Sequence, residues 1–225
     1  MKNIGMIVAV EISSVTKRYG QPLKSGKCGG FPVMTFSVGE NLLHVLHTGA
    51  GELGAAAGTQ ALISELGCGL IVNFGAVGGL TPEMALARVC IVESVIHYDF
   101  DGGSFTGLSV GHYVGEDSPF IPTDAGLAAR AKELFPDLVP VVCASADKFV
   151  EGTENKAHLH KTFGAHICEM EAAGILHTCR RNKVPCLMIK VVSDGIDGGF
   201  EEFMREVDRV SDICLGITEE IIKEL

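Results

Sequence analysis

The sequence predicts a single-domain α/β fold: a three-layer sandwich with a mixed, mostly parallel central sheet flanked by helices. Three observations lead there. The chain has 225 residues, 47% hydrophobic and 20% charged, which is enough apolar material for one sizeable core. Several short apolar runs are continuous instead of alternating, as strands buried on both faces require. These runs alternate with helix-patterned segments. No linker, repeat or low-complexity stretch divides them, so residues 1–225 read as one domain.

Residues 6–10 form the first buried strand. Residues 31–38 and 42–47 pair as a hairpin around Gly39-Glu40. Thr48-Gly49-Ala50-Gly51 then leads into an Ala-rich helix over 53–63, whose small residues allow close packing on a sheet. A strand at 70–74 runs into Gly75-Ala76-Val77-Gly78-Gly79, which is too glycine-rich for a helix and reads as a loop. Strands follow at 90–96 and 139–144, with a helix between them capped at Thr123-Asp124 and running through 128–134. A helix over 169–181 precedes Pro185, and 186–192 is the last strand. Beyond Phe200, apolar residues at 203, 207, 210, 214, 217 and 221 keep the spacing of one helical face.

The formal net charge is -10, which repels phosphate backbones and makes nucleic acid a poor partner. No apolar run reaches membrane-spanning length. The start, Met1-Lys2-Asn3-Ile4-Gly5, lacks the zones of a signal peptide, so the expected location is the cytoplasm and no membrane partner is expected. Eight cysteines contain no CxxC pair, and several sit inside apolar runs. They read as small buried hydrophobes, and no metal site is expected. The histidines at 44, 47, 158 and 160 form no ligand pattern with a nearby carboxylate and read as surface or satisfied side chains.

Ligands of open α/β sheets sit beyond the carboxyl ends of the strands. Attention therefore falls on Glu11, the glycine loops 49–51 and 75–79, residues 147–150, and Ser193-Asp194. The glycine loops can bring backbone N–H groups close to a ligand, but neither matches a dinucleotide or P-loop pattern. In Glu169-Met170-Glu171-Ala172, two carboxylates two residues apart do not share a helix face. One can cap the helix while the other faces a cavity and accepts hydrogen bonds from vicinal hydroxyls. Asp194 leaves an apolar strand, where burial raises a carboxyl pKa and suits it to general-acid work.

Together and in this order, these signals resemble the nucleoside phosphorylase and nucleosidase family, closest to its bacterial 5′-methylthioadenosine/S-adenosylhomocysteine nucleosidase branch. The resemblance runs from the strand before Glu11 through the glycine loop 49–51, residues 73–80, His97-Tyr98-Asp99-Phe100-Asp101 and Phe149-Val150. It ends on Glu169-Met170-Glu171-Ala172 and Ser193-Asp194. It implies a nucleoside phosphorylase-like fold, a homodimer, no cofactor, and cleavage of the N-glycosidic bond of a purine nucleoside. Asp194 would protonate purine N7, with Ser193 orienting it. Phe149 would stack on the base, and the Val150 backbone would hold its edge. Glu171 would bind the ribose hydroxyls over Met170. Glu169, Ala76 and Gly78 would complete the lining, and Phe105 would cover the 5′ group of a neighbouring subunit's substrate.

The seven arginines, at 18, 88, 130, 180, 181, 205 and 209, lie outside the glycine loops. A phosphate dianion would lack its usual partners, so water is the expected nucleophile. The family's water-activating slots hold Ser13, Ala76 and Lys190 here, which leaves Glu11 as the available base. Three alternatives stand beside hydrolysis of 5′-methylthioadenosine or S-adenosylhomocysteine: phosphorolysis, hydrolysis of another purine nucleoside (adenosine, inosine or a futalosine-type substrate), and a non-catalytic nucleoside-binding sensor. The glycine-rich segment 102–115 leaves the 5′ group open.

Overall fold

A computed structural model describes residues 2–225. In chain order the elements are β1 (Asn3–Val8), α1 (Ile12–Tyr19), β2 (Lys24–Cys28), β3 (Phe31–Val38), β4 (Asn41–His47), α2 (Glu52–Leu66), β5 (Leu70–Gly79), β6 (Val89–His97) and α3 (Gly103–Thr106). They continue with β7 (Phe120–Pro122), α4 (Ala125–Leu134), β8 (Val139–Ser145), α5 (Thr153–Phe163), β9 (Ile167–Glu169), α6 (Ala172–Asn182), β10 (Cys186–Asp194) and α7 (Phe200–Lys223). Among the described residues, no helix is long and apolar enough to cross a membrane.

The continuous apolar runs do become strands buried on both faces; every residue of β10 is buried. On one face, Ile7, Leu46 and Met188 pack with Ala55, Leu62 and Ile175 from α2 and α6. On the other, Met6, Leu43, Phe74 and Val191 pack with Val15, Val210, Cys214 and Ile221 from α1 and α7. α2 lies very close to the sheet. A Cβ on its Gly58 would stand 2.6 Å from Thr48 Cγ2 and 2.8 Å from Leu46 Cδ2, so a larger residue there would push the helix away. All eight cysteines are buried and unbridged.

The expected three-layer sandwich with a mixed, mostly parallel sheet needs correction. Five parallel and five antiparallel strand pairings join the described strands. β5, β10, β6, β8 and β9 pair in a closed ring, because β9 returns to β5 while β5 also pairs with β10. The arm β1-β4-β3-β2 extends from β5. Closure explains a second correction. Residues 75–79 continue β5 and are not a loop. Their glycines admit close neighbours: a Cβ on Gly75 would stand 2.6 Å from Glu11 Oε1, and one on Gly78 would stand 3.0 Å from Cys168 Sγ. A third correction concerns Glu169, which ends the short strand β9; the helix begins at Ala172.

Candidate active site

One cavity opens at the carboxyl ends of β1, β5, β8 and β10. Of the residues expected at the site, Glu11, Ala76, Gly78, Phe149, Val150, Glu169, Met170, Glu171, Ser193 and Asp194 line it. Phe105 does not; it sits on α3, 96% exposed. Lys148, Cys168 and Phe203 also line the cavity.

The register of β10 against β5 shifts between Val192 and Asp194, so that Asp194 lies opposite Gly78. Asp194 is 1% exposed overall. Its Oδ1 accepts from the Ser193 hydroxyl at 2.8 Å, and its Oδ2 from Lys156 Nζ at 2.5 Å. Burial raises the Asp194 pKa; hydrogen bonding and charge from Lys156, and the Ser193 hydroxyl, work against the rise. Phe149 stands at the mouth, edge-on to Phe200 and Phe203 at centroid separations of 5.9 and 5.7 Å.

At the opposite end, Glu169 and Glu171 divide their work. Glu169 oxygens accept the N–H groups of Glu171 at 3.1 Å and Ala172 at 3.0 Å, satisfying the first turn of α6. Lys190 Nζ stands 3.1 Å from Glu169 Oε2. Burial opposes the Glu169 charge, but Lys190 and the hydrogen bonds outweigh it and hold the pKa below the ordinary range. Glu171 instead turns toward the glycine loop, where its Oε1 accepts Gly51 N–H at 2.9 Å. Gly51 has φ 114°, and a Cβ there would meet Asp147 Oδ1 at 3.0 Å, so glycine is required. Burial first, then the Glu169 charge, push the Glu171 carboxyl up to about 8.

Ser145 joins this end to α2. Its Oγ lies 2.5 Å from Glu169 Oε1, contacts Glu52 Oε1 and receives Ala173 N–H at 3.1 Å. A hydroxyl has one proton for two carboxyl groups, so one carboxyl must supply the other. Glu52 is that carboxyl: burial and Glu169 raise its pKa to about 7.

Glu11 lies between the two ends. It precedes α1, and its carboxylate accepts Val10 N–H at 3.0 Å and Ala76 N–H at 2.9 Å. Ser13 is directed elsewhere and donates to Asp208 at 3.0 Å. Among the described residues no arginine lines the cavity; Lys148 is the lysine in its lining, and Lys156 and Lys190 beside it are each ion-paired. Among the described residues, no group of three or more His, Cys, Asp or Glu side chains could hold a metal ion.

Sequence reasoning missed Lys156, Glu52 and Ser145. Lys156 had a faint signal: it stands three residues before Leu159, and these two are the buried residues of α5.

Known proteins share this architecture. The protein of Haemophilus ducreyi named 5′-methylthioadenosine/S-adenosylhomocysteine nucleosidase is 28% identical over 183 residues, covering 78% of each chain. The solved 5′-methylthioadenosine/S-adenosylhomocysteine nucleosidase of Helicobacter pylori, complexed with a pyrrolidine ligand, superposes with a TM-score of 0.92 at 23% identity. That match covers 100% of this chain and 99% of that one. The native futalosine hydrolase of the same organism gives 0.92 at 23% identity, covering 100% and 98%. These likenesses establish the nucleoside phosphorylase-like fold and agree with the resemblance read from the motifs. The family model described as the phosphorylase superfamily matches residues 7–223, and the chain belongs to that superfamily.

Proposed function

We propose that the protein hydrolyses the N-glycosidic bond of a purine nucleoside, with 5′-methylthioadenosine or S-adenosylhomocysteine as substrate and adenine as product. The observation that carries this reading is the pairing of two unlike carboxyl centres in one cavity: Asp194 beside Ser193, and Glu171 over Met170. Asp194 delivers a proton to purine N7, so the base leaves as a neutral molecule. Phe149 stacks on the base, and the Val150 backbone meets its edge. Gly78 and Ala76 leave room for the nucleoside between the two ends.

Glu171 receives the ribose hydroxyls. Its pKa of about 8 keeps it mostly protonated at neutral pH. Positive charge developing on the sugar favours its ionised form, so its stabilisation is greatest in the transition state. Glu169 keeps Glu171 in place by capping the helix that Glu171 precedes. Glu11 accepts the proton of the attacking water. The lack of arginine in the lining supports water over phosphate. The protein acts as a cytoplasmic homodimer, and the exposed Phe105 covers the 5′ group in the partner's cavity.

The test is release of free purine from 5′-methylthioadenosine, adenosine and inosine, with and without phosphate. Adenine release from 5′-methylthioadenosine without phosphate is expected. A strict phosphate requirement would make the enzyme a phosphorylase, and tight binding without release would make it a sensor.

A further inference from the structure

Asp194 Oδ2 accepts from the Lys156 ammonium at 2.5 Å, while the Ser193 hydroxyl lies between Asp194 Oδ1 at 2.8 Å and Val77 O at 3.2 Å. An ammonium can only donate, and contact with it favours an ionised carboxylate, which has no proton to give. The Lys156 ammonium is the proton source in contact with it. Lys156 Nζ also donates to Gly195 O at 2.7 Å, and its side chain is 0% exposed, behind Asp194 and outside the cavity lining. A buried ion pair is weak evidence for stability, since apolar residues of similar volume often hold a fold equally well. Packing therefore gives no reason for a lysine at this place in α5.

We infer that Lys156 is the proton store of the active site, a positioning residue that acts on the leaving base through Asp194. This rests on the nucleoside reading above. As the glycosidic C–N bond breaks, its electron pair passes to the purine, and a proton moves from Lys156 Nζ to Asp194 and from Asp194 to N7. The Nζ–H bond breaks, Asp194 ends ionised, and Lys156 ends as a neutral amine. Water adds to the ribosyl cation and gives one proton to Glu11; Glu11 releases a proton to solvent, and solvent returns one to Lys156 through Asp194 once the base has left. Substrate plus water thus balance sugar plus neutral base.

The surroundings leave this exchange to the pair. β5 presents Gly78, where a Cβ would lie 3.3 Å from Asp194 Oδ2 and 3.7 Å from Lys156 Cε. From β9 comes Cys168, whose thiol burial pushes up to about 12, so it stays neutral. From α7 comes Glu202, whose Oε2 accepts Gly195 N–H at 3.0 Å. Asp197, in the turn after β10, accepts from Thr153 at 2.9 Å.

The test compares wild type with Lys156→Met by the pH dependence of kcat/KM on a purine nucleoside. Wild type should stay active from neutral into alkaline pH. Lys156→Met should work at acid pH, where Asp194 keeps its own proton, with its alkaline limb lower by about two pH units, the scale on which a neighbouring opposite charge shifts a carboxyl. A uniform loss at every pH, or an unmoved limb, would reduce Lys156 to a structural role. Infrared difference spectra against Asp194→Asn read the Asp194 carboxyl without substrate. An ionised carboxylate is expected in the wild type at neutral pH and a protonated acid in Lys156→Met. A protonated acid in the wild type would overturn the inference. A wild type inert toward every purine nucleoside would instead refute the nucleosidase reading, and the infrared result would still decide whether Lys156 governs the Asp194 proton.

Discussion

The base end and the sugar end of the cavity treat acidic groups in opposite ways. At the base end one lysine, Lys156, meets one carboxylate, Asp194. At the sugar end one lysine, Lys190, serves a group of three carboxyls, Glu169, Glu171 and Glu52. The first arrangement neutralises charge, and in the proposed reaction it keeps a proton next to the leaving group. The second has more acids than one cation can balance: burial and the Glu169 charge raise Glu171 to about 8 and Glu52 to about 7. In the proposed reaction one end gives a proton and the other becomes negative, which is the charge separation that glycosidic cleavage needs.

The largest expected effect comes from breaking the base end. Asp194→Asn should lower kcat by about 10²–10⁴, the range for general acid catalysis, while nucleoside binding measured by calorimetry changes little. Unchanged turnover would take the acid role from Asp194.

Next comes the sugar end. Glu171→Gln should lower kcat/KM on ribosides by about 10², with a far smaller loss on 2′-deoxyribosides, which offer one hydroxyl fewer. Equal losses on both would show that Glu171 does not hold the hydroxyls. The same carboxyl makes a pH prediction. An analogue with a protonated pyrrolidine in place of ribose should expel a proton from Glu171 when it binds between pH 6 and about 8. Calorimetry in buffers of different ionisation enthalpy would detect that proton, and its absence would mean that Glu171 is already ionised.

The smallest effect concerns folding. Glu52 has a folded pKa of about 7 against 4.5 as its ordinary value, so the folded chain binds more protons in that window. Stability should therefore fall as pH rises from 4.5 to 7, by the linkage between proton binding and folding. Glu52→Gln keeps an acceptor for Gly174 N–H and a donor for Ser145, and removes the titration. It should raise stability by roughly 1–3 kcal/mol at pH 8 and leave it unchanged at pH 4, measured by denaturant unfolding. Equal effects at both pH values would contradict the shared-proton arrangement at Ser145.

Much of this was legible in the sequence because strand ends collect ligands. The apolar runs around Ile7, Val72 and Met188 announced buried strands, and the polar residues just after them marked the cavity. What escaped depended on closure. The glycines at 75, 78 and 79 look like a loop in one dimension. Only β9 and β10 arriving on both sides of β5 make them part of a strand. Glu52 stands just before the helix expected over 53–63 and carries no local signal, because its partners Ser145 and Gly174 lie more than ninety residues away. Lys156 lay among polar neighbours, and its buried partner is 38 residues distant. Long-range pairs of buried charges leave little trace in local pattern.

In the proposed reaction water, not phosphate, takes the sugar from a purine. Hydrolysis of 5′-methylthioadenosine in ¹⁸O-labelled water with phosphate present, read by mass spectrometry, tests it directly. Free adenine with one labelled oxygen at the anomeric carbon of the released sugar is the predicted result. An unlabelled sugar 1-phosphate would contradict it.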